Sequence, residues 1–194
     1  MNERLLPRVS VLHARHAIMT LSHVLSSEEC DAQIAYAETI GFGDAPITTA
    51  FGPVMAPDIR DNTRVMVDDP ARAEELWRRI APTVPKELGP WSAVGLNERL
   101  RYYRYDRGQT FRWHRDGAFV RHERERSHLT VLLYLNDDFD GGETEIDVDE
   151  SIKVRPERGA VLLFVHHVRH QGAAVSRGRK YVLRSDVMYR RKDA

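Results

Sequence analysis

Two stretches in the first ninety residues repeat apolar side chains at helical spacing. Cys30, Ile34, Ala37 and Ile40 recur about once per turn between Ser26 and Gly41, which predicts a helix near 27–40. Ser26 with Glu29 three residues on is a capping-box signature, and Gly41 supplies the stop. Ala73, Leu76, Trp77 and Ile80 then fall at i, i+3, i+4 and i+7 behind Asp69-Pro70, an N-cap with proline at the first helical position, and Pro82 ends the run. Each helix has one apolar face and needs something flat to lie against. Between them, residues 43–62 carry Pro46, Gly52, Pro53 and Pro57 with no period. A stretch of that length and texture is either an active-site lid or an ordinary surface loop.

From Leu96 onward the period shortens. Leu100–Tyr105 and Phe111–Asp116 read as strands separated by Asp106-Arg107-Gly108. Leu129–Leu135 is nearly continuous apolar sequence, the mark of a strand buried on both faces. Gly141-Gly142 turns into Glu143–Val148, Pro156–Gly159 turns into Ala160–Val165, and Lys180–Tyr189 closes the series. Short strands with Gly/Pro turns and flanking helices predict a mainly β (α+β) fold. Its core is a double-stranded β-helix, or jelly roll, with N-terminal supporting helices. The expected organisation is one domain over 1–194, with a helical cover over 1–95 and the jelly-roll core over 96–190.

Composition narrows the function classes. Apolar residues make up 42% and charged residues 30% of 194, the balance of a globular chain with a core of its own. Lys plus Arg equals Asp plus Glu at 29 each, so no net field favours nucleic acid or a membrane surface. Met1–Pro7 has no apolar signal core, and no run approaches ~18 apolar residues. The single cysteine, Cys30, cannot form an internal disulfide, which suits the reducing cytoplasm. Histidine stands out: of nine, five lie between His122 and His170.

His114-Arg115-Asp116 is the sharpest local feature. Residues i and i+2 of a strand share a face, so both side chains can reach one point inside a barrel. A histidine from a distant strand would complete a 2-His-1-carboxylate facial triad, which leaves the opposite positions of iron(II) open. His170, after the buried strand 160–165, is the natural third ligand. Lys180, ten residues further on, opens a neighbouring strand where one cation can anchor the far carboxylate of a chelating diacid.

The order His114/Asp116, Gly141-Gly142-Glu143-Thr144, His170, Lys180 resembles the prolyl 4-hydroxylase-like branch of the iron(II)/2-oxoglutarate oxygenases. The likeness is strongest over about 98–190 and looser in the N-terminal helical region. It implies that His114, Asp116 and His170 ligate iron(II), and that Lys180 pairs with the distal carboxylate of 2-oxoglutarate. Tyr105 and Thr144 would hydrogen-bond the same cosubstrate. It also implies oxidation of a C–H bond by dioxygen, coupled to decarboxylation that yields succinate and carbon dioxide, with ascorbate sustaining the iron. The expected partners are 2-oxoglutarate and a peptide, prolyl or small-molecule substrate.

Several residues compete with these assignments. His166 and His167 precede the same turn, but only His170 has the small-residue step Gln171-Gly172 behind it; His166 reads as a core histidine needing a hydrogen-bond partner. His13, His16, His23, His122 and His128 read as structural or surface residues, and Arg121–Arg126 as a solvated turn at the substrate rim. Arg184 shares strand parity with Lys180 and is expected inside the barrel, paired with Asp186. The competing function is a non-catalytic jelly-roll module that binds a metal, a small acid or a peptide. Lys180 favours the enzyme.

Overall fold

The computed structural model describes residues 7–49 and 51–192. Residues 1–6, read above for a signal core, and Ala50, within the lid-or-loop segment, lie outside the described residues, as do residues 193–194. Both helices form where their periodicity puts them. Helix α1 spans Ser27–Ile40 behind a complete capping box: the Glu29 N–H donates to Ser26 Oγ at 3.2 Å, and the Ser26 N–H donates to Glu29 Oε2 at 2.8 Å. Helix α2 spans Pro70–Ile80, with Asp69 accepting from the Arg72 N–H at 2.9 Å. Ala73, Leu76 and Ile80 are buried as the spacing requires, whereas Ile40, at the frayed end of α1, is exposed. Among the described residues, no helix is long and apolar enough to cross a membrane.

Two antiparallel sheets carry the rest. The larger has eleven strands among the described residues, with Glu125–Tyr134 at its centre between Val161–Val165 and Lys180–Arg191. The smaller runs Phe111–His114, Arg169–Gly172, Thr144–Asp147, Ile152–Val154. Alternation sorts the central strands into two cores. Leu129, Val131, Leu133, Leu163 and Leu183 pack toward the helices with Leu76 and Ile80. Leu132, Tyr134, Leu162, Phe164 and Val182 point between the sheets with Tyr103, Tyr105 and Ile146. This is the jelly roll expected, and its inter-sheet layer is where the site forms.

Three features depart from the sequence reading. The first ninety-five residues are not simply helical cover: Val9–His13, Ile18–Leu21, Thr63–Asp68 and Trp91–Leu96 are strands of the large sheet. They escape a periodicity argument because they are short or largely solvated, Val9–His13 being exposed almost throughout. Residues 43–62 have structure despite their lack of period. Gly43–Asp44 pairs with Thr63–Arg64, and Ile47–Thr49 pairs with Gly52–Val54 as a hairpin. The hairpin leaves Phe51, Val54 and Met55 exposed. Finally, the strand expected over 111–116 ends at His114.

Candidate active site

Strand register brings the two histidines together. His114 and His170 are direct cross-strand partners in the small sheet, with ring centroids 4.2 Å apart. Phe111 stacks on His114 at 3.5 Å, and Phe164 meets His170 edge-on at 4.6 Å. Asp116 lies two residues past the strand end, so pleat alternation does not aim it. Its N–H donates to the His166 carbonyl at 3.0 Å, which folds the chain back and turns the carboxylate toward the pair. One ligand atom from each of His114, Asp116 and His170 lies within 4.8 Å of the other two.

The hydrogen bonds fix which ring nitrogens are free. His114 Nδ1 lies 2.7 Å from the Arg112 carbonyl and His170 Nδ1 lies 3.0 Å from the Val168 carbonyl. A carbonyl only accepts, so both Nδ1 atoms carry the proton and both Nε2 lone pairs face Asp116, at 3.7 and 3.6 Å. Burial, with His170 beside it, pushes His114 down to about 3, and burial lowers His170 as well. Both imidazoles are therefore neutral, the form that binds a metal. Burial alone would raise Asp116, but the Arg184 guanidinium and the two histidines hold it well below the usual carboxylate range. Two neutral imidazoles and one carboxylate on one side of a cavity fit an octahedral iron(II) ion.

Asp116, with a side chain only 4% exposed, is held from behind. Thr130 Oγ1 donates to its Oδ2 at 2.6 Å, and the same hydroxyl lies 2.9 Å from His166 Nδ1. His166 Nε2 in turn meets Ser127 Oγ at 2.8 Å. His166 is thus the buried, fully partnered histidine that its place in the sequence suggested. It acts on Asp116 through both its carbonyl and Thr130. His167 is exposed and turned away toward His16. Arg184 is inside the barrel and paired with Asp186 Oδ1 at 3.2 Å, as strand parity predicts. Parity did not anticipate its second partner, Asp116 Oδ1 at 3.0 Å. Burial works against the Arg184 charge, yet Asp116 and Asp186 raise its pKa above the ordinary value.

A small, mostly apolar cavity opens in front of the triad, with Lys180, Tyr105 and Thr144 at its far end. Lys180 is 3% exposed. Its Nζ donates to the Gly142 carbonyl at 2.5 Å and lies 5.2 and 5.7 Å from the Tyr105 and Tyr134 ring centroids. Burial pushes it down to about 7, and only Glu143 opposes. Gly142 makes that position available. It has φ +67°, and a Cβ there would stand 2.9 Å from the Phe139 ring and 3.2 Å from Lys180 Cδ. Thr144 Oγ1 pairs with Tyr134 Oη at 2.8 Å. Arg179 points out of the barrel onto Asp106 at 2.5 Å. In the expected rim turn, Glu125 is buried beneath Arg121 and Arg190 rather than solvated.

Three neighbours of the cavity were missed by sequence reasoning. Tyr103 shares the Tyr105 face two residues earlier, a signal that strand parity carried. Thr130 sat inside a run read only for its apolar residues. Arg60 comes from the lid-or-loop segment and lies over the Tyr103 and Phe111 rings at 4.4 and 4.5 Å; nothing in its surroundings in the sequence marks it.

Residues 100–185 match the family model of the 2OG-Fe(II) oxygenase superfamily. A comparison with curated protein sequences gives no match. Among solved structures, the chain is similar to a Pseudomonas putida prolyl-4-hydroxylase at TM-score 0.64 and 19% identity, covering 92% of this chain and 94% of that one. It is similar to a Trichoplax adhaerens prolyl hydroxylase in complex with a hypoxia inducible factor oxygen degradation domain peptide fragment at TM-score 0.64 and 18% identity, covering 93% and 82%. A viral collagen prolyl hydroxylase from Paramecium Bursaria Chlorella virus-1, in its 2OG complex, follows at TM-score 0.58 and 18% identity, covering 88% and 94%. At such identities these likenesses speak for the fold, and the family model speaks for the chemistry. By that match, residues 100–185 are a 2OG-Fe(II) oxygenase domain, in a chain with the fold of the prolyl 4-hydroxylases.

Proposed function

We propose that His114, Asp116 and His170 hold iron(II), that Lys180, Tyr105 and Thr144 receive 2-oxoglutarate, and that the enzyme hydroxylates a C–H bond of a peptide, prolyl or small-molecule substrate. The observation that carries this reading is the pairing of two ends of one cavity. At one end, two neutral Nε2 lone pairs face a carboxylate. At the other stands a buried lysine with no carboxylate in contact among the described residues, the partner a diacid's far end requires. When bound, the metal supplies oxidation of the C–H bond by dioxygen with release of succinate and carbon dioxide.

The chain's own residues do the positioning. The Arg112 and Val168 carbonyls fix both histidine tautomers. Thr130 and Arg184 hold the two Asp116 oxygens, so the carboxylate cannot rotate away from the pair. Phe111, Leu132 and Val182 line the cavity with apolar surface and keep water from the reacting centre. Residues 43–62 are a candidate cover, with Phe51, Val54 and Met55 exposed on the hairpin. Ascorbate would keep the metal reduced. A module that binds only a metal or a peptide has no use for a buried lysine across the cavity from the triad, which favours the enzyme.

Anaerobic addition of 2-oxoglutarate to the iron(II)-loaded chain tests the reading. A visible charge-transfer band, followed by succinate on admission of oxygen, is expected. The band should vanish in His114→Ala, Asp116→Ala and His170→Ala and persist in His167→Ala. A wild-type chain that binds iron yet gives neither band nor succinate would leave the binding module as the better account.

A further inference from the structure

One group of side chains beside the cavity has, Arg184 apart, no task in that scheme. Arg60 lies over the buried Tyr103 ring at 4.4 Å, and Arg64, Arg101 and Arg184 are near enough for their charges to act on the tyrosine. Arg101 and Arg184 share Asp186, at 3.1 and 3.2 Å, and Arg184 also holds Asp116. Arg60 and Arg64 have no carboxylate within salt-bridge distance among the described residues. Arg60 is 4% exposed. It spends its Nε on Asn62 Oδ1 at 2.8 Å, and its Nη2 is buried with no hydrogen-bond partner. Arg184 Nε is unpartnered in the same way, and the buried Tyr103 O–H finds no acceptor among the described residues. Arginine has no acceptor, so the two guanidinium groups cannot satisfy each other, and the Tyr103 hydroxyl oxygen is the one acceptor in the group. A buried guanidinium without a counterion is costly to keep.

The far carboxylate of the cosubstrate does not account for them, and its chelating carboxylate has the metal as its partner. Lys180 and Arg184 share a strand face, but their Cα atoms are about 13 Å apart along the strand. Lys180 serves the Gly142 end of the cavity, and Arg184 serves the Asp116 end. Arg60 stands still further from Lys180 in role. It lies on the Phe111 ring that also stacks on His114, so it flanks the metal side of the cavity.

We infer that Arg60, Arg184 and Tyr103 form an oxyanion subsite for the substrate itself, so that the molecule oxidised carries a carboxylate or similar oxyanion a short distance from the reacting C–H bond. The inference rests on the iron and 2-oxoglutarate reading above, and it narrows the substrate to an anionic small molecule or acidic residue. A guanidinium presents a planar fork that a carboxylate matches with two hydrogen bonds, and Tyr103 adds a third donor. Tyr103 Oη would donate to the anion, while Arg184 keeps its bonds to Asp116 and Asp186 and offers Nε. A prolyl ring by itself offers these donors no acceptor, and a neutral peptide carbonyl beside it pairs with a guanidinium less strongly than a carboxylate does, so the site favours the anionic substrate.

Inorganic sulfate is the probe. It is titrated calorimetrically into the full chain saturated with iron(II) and 2-oxoglutarate under argon, where Lys180 is occupied. One saturable site is expected. Arg60→Gln should weaken it at least tenfold and Tyr103→Phe severalfold, and acetamide should not compete. The charge-transfer band should be equal in wild type and both variants, because none of these groups holds metal or cosubstrate. No saturable sulfate binding, or equal affinity in Arg60→Gln and wild type, overturns the subsite. If Arg60→Gln fails to fold, Tyr103→Phe decides by the same criterion. If the wild type gives no band, the iron–cosubstrate reading fails separately. The titration is then run on the metal-free Lys180→Met chain, where no second buried cation competes.

Discussion

Lys180→Met should make the metal-free protein more stable while destroying its use for 2-oxoglutarate. The ammonium lies in a dry pocket between Tyr105 and Tyr134, where burial pushes it from 10.5 down to about 7. A lysine whose folded-state pKa is depressed destabilises the fold. The penalty is full below about pH 7 and fades as pH rises toward the unfolded value of 10.5. At about 1.4 kcal/mol per tenfold in protonation, the ceiling near pH 6 is about 5 kcal/mol, falling to about 1–2 kcal/mol near pH 9.5. Methionine fills most of the same volume but leaves the Gly142 carbonyl unpaired, at about 1–3 kcal/mol. The variant should therefore be more stable by about 2–4 kcal/mol near pH 6. The pH dependence is the sharper test, because the unpaired carbonyl contributes equally at both pH values. Denaturant melts of both proteins in chelator, near pH 6 and near pH 9.5, should show the gap narrowing by about 3 kcal/mol. A gap independent of pH, or a variant less stable at both, would refute a lysine whose charge is disfavoured by burial.

The same titration governs cosubstrate binding: above about pH 7 Lys180 must take up a proton to meet a dianion, so 2-oxoglutarate affinity should fall by up to about tenfold per pH unit there and flatten below it, as read by anaerobic calorimetry. Lys180→Ala should raise the apparent Kd for 2-oxoglutarate by roughly 100- to several-thousand-fold. Arg179→Ala, at an exposed cation already paired with Asp106, should change it by less than about tenfold; the reverse ranking in the same titration would put the strand register off by one. Thr130→Val removes the donor to Asp116 Oδ2 and the contact to His166, and should weaken iron(II) binding by about 10–100-fold in a competition assay with a metal chelator.

What the sequence made legible was whatever a local rule can carry. The caps at Ser26 and Asp69 fixed both helices because capping is a three-residue affair. Strand parity told Lys180 from Arg179 and put Arg184 inside, because pleat alternation needs no knowledge of the partner strand. The opposite case is Asp116. Its two-residue spacing from His114 was read as shared strand face, yet the strand has ended there and a long-range bond to the His166 carbonyl does the aiming. Thr130 and His166 meet only because Glu125–Tyr134 and Val161–Val165 pair in one register, with Thr130 opposite Phe164. Arg60 is harder still. It reaches Tyr103 from a segment without period, fastened by an isolated bridge to Phe111. The edge strands at Val9–His13 and Thr63–Asp68 bury too little for alternation to register.

The buried charges separate into two kinds, and that division ties fold to function. Buried Glu125 meets the exposed Arg190, and buried Asp186 meets Arg101, so these pairs are closed, each buried carboxylate having its opposite charge on the protein. Lys180 and Arg60 are open: one bonds only a carbonyl, the other only an amide oxygen. A closed pair needs no ligand and breaks at a cost when either member is removed. An open cation lowers the stability of the empty fold and returns that free energy when an anion arrives, by an amount that grows with ligand concentration over Kd. The two open cations lie on different sides of the triad, one across the cavity from it and one behind the Phe111 ring that stacks on His114. Two anions are therefore called for on either side of one metal position. The far carboxylate of the diacid cosubstrate supplies the first and its chelating carboxylate is spent on the metal, so the second is assigned to the molecule that is oxidised.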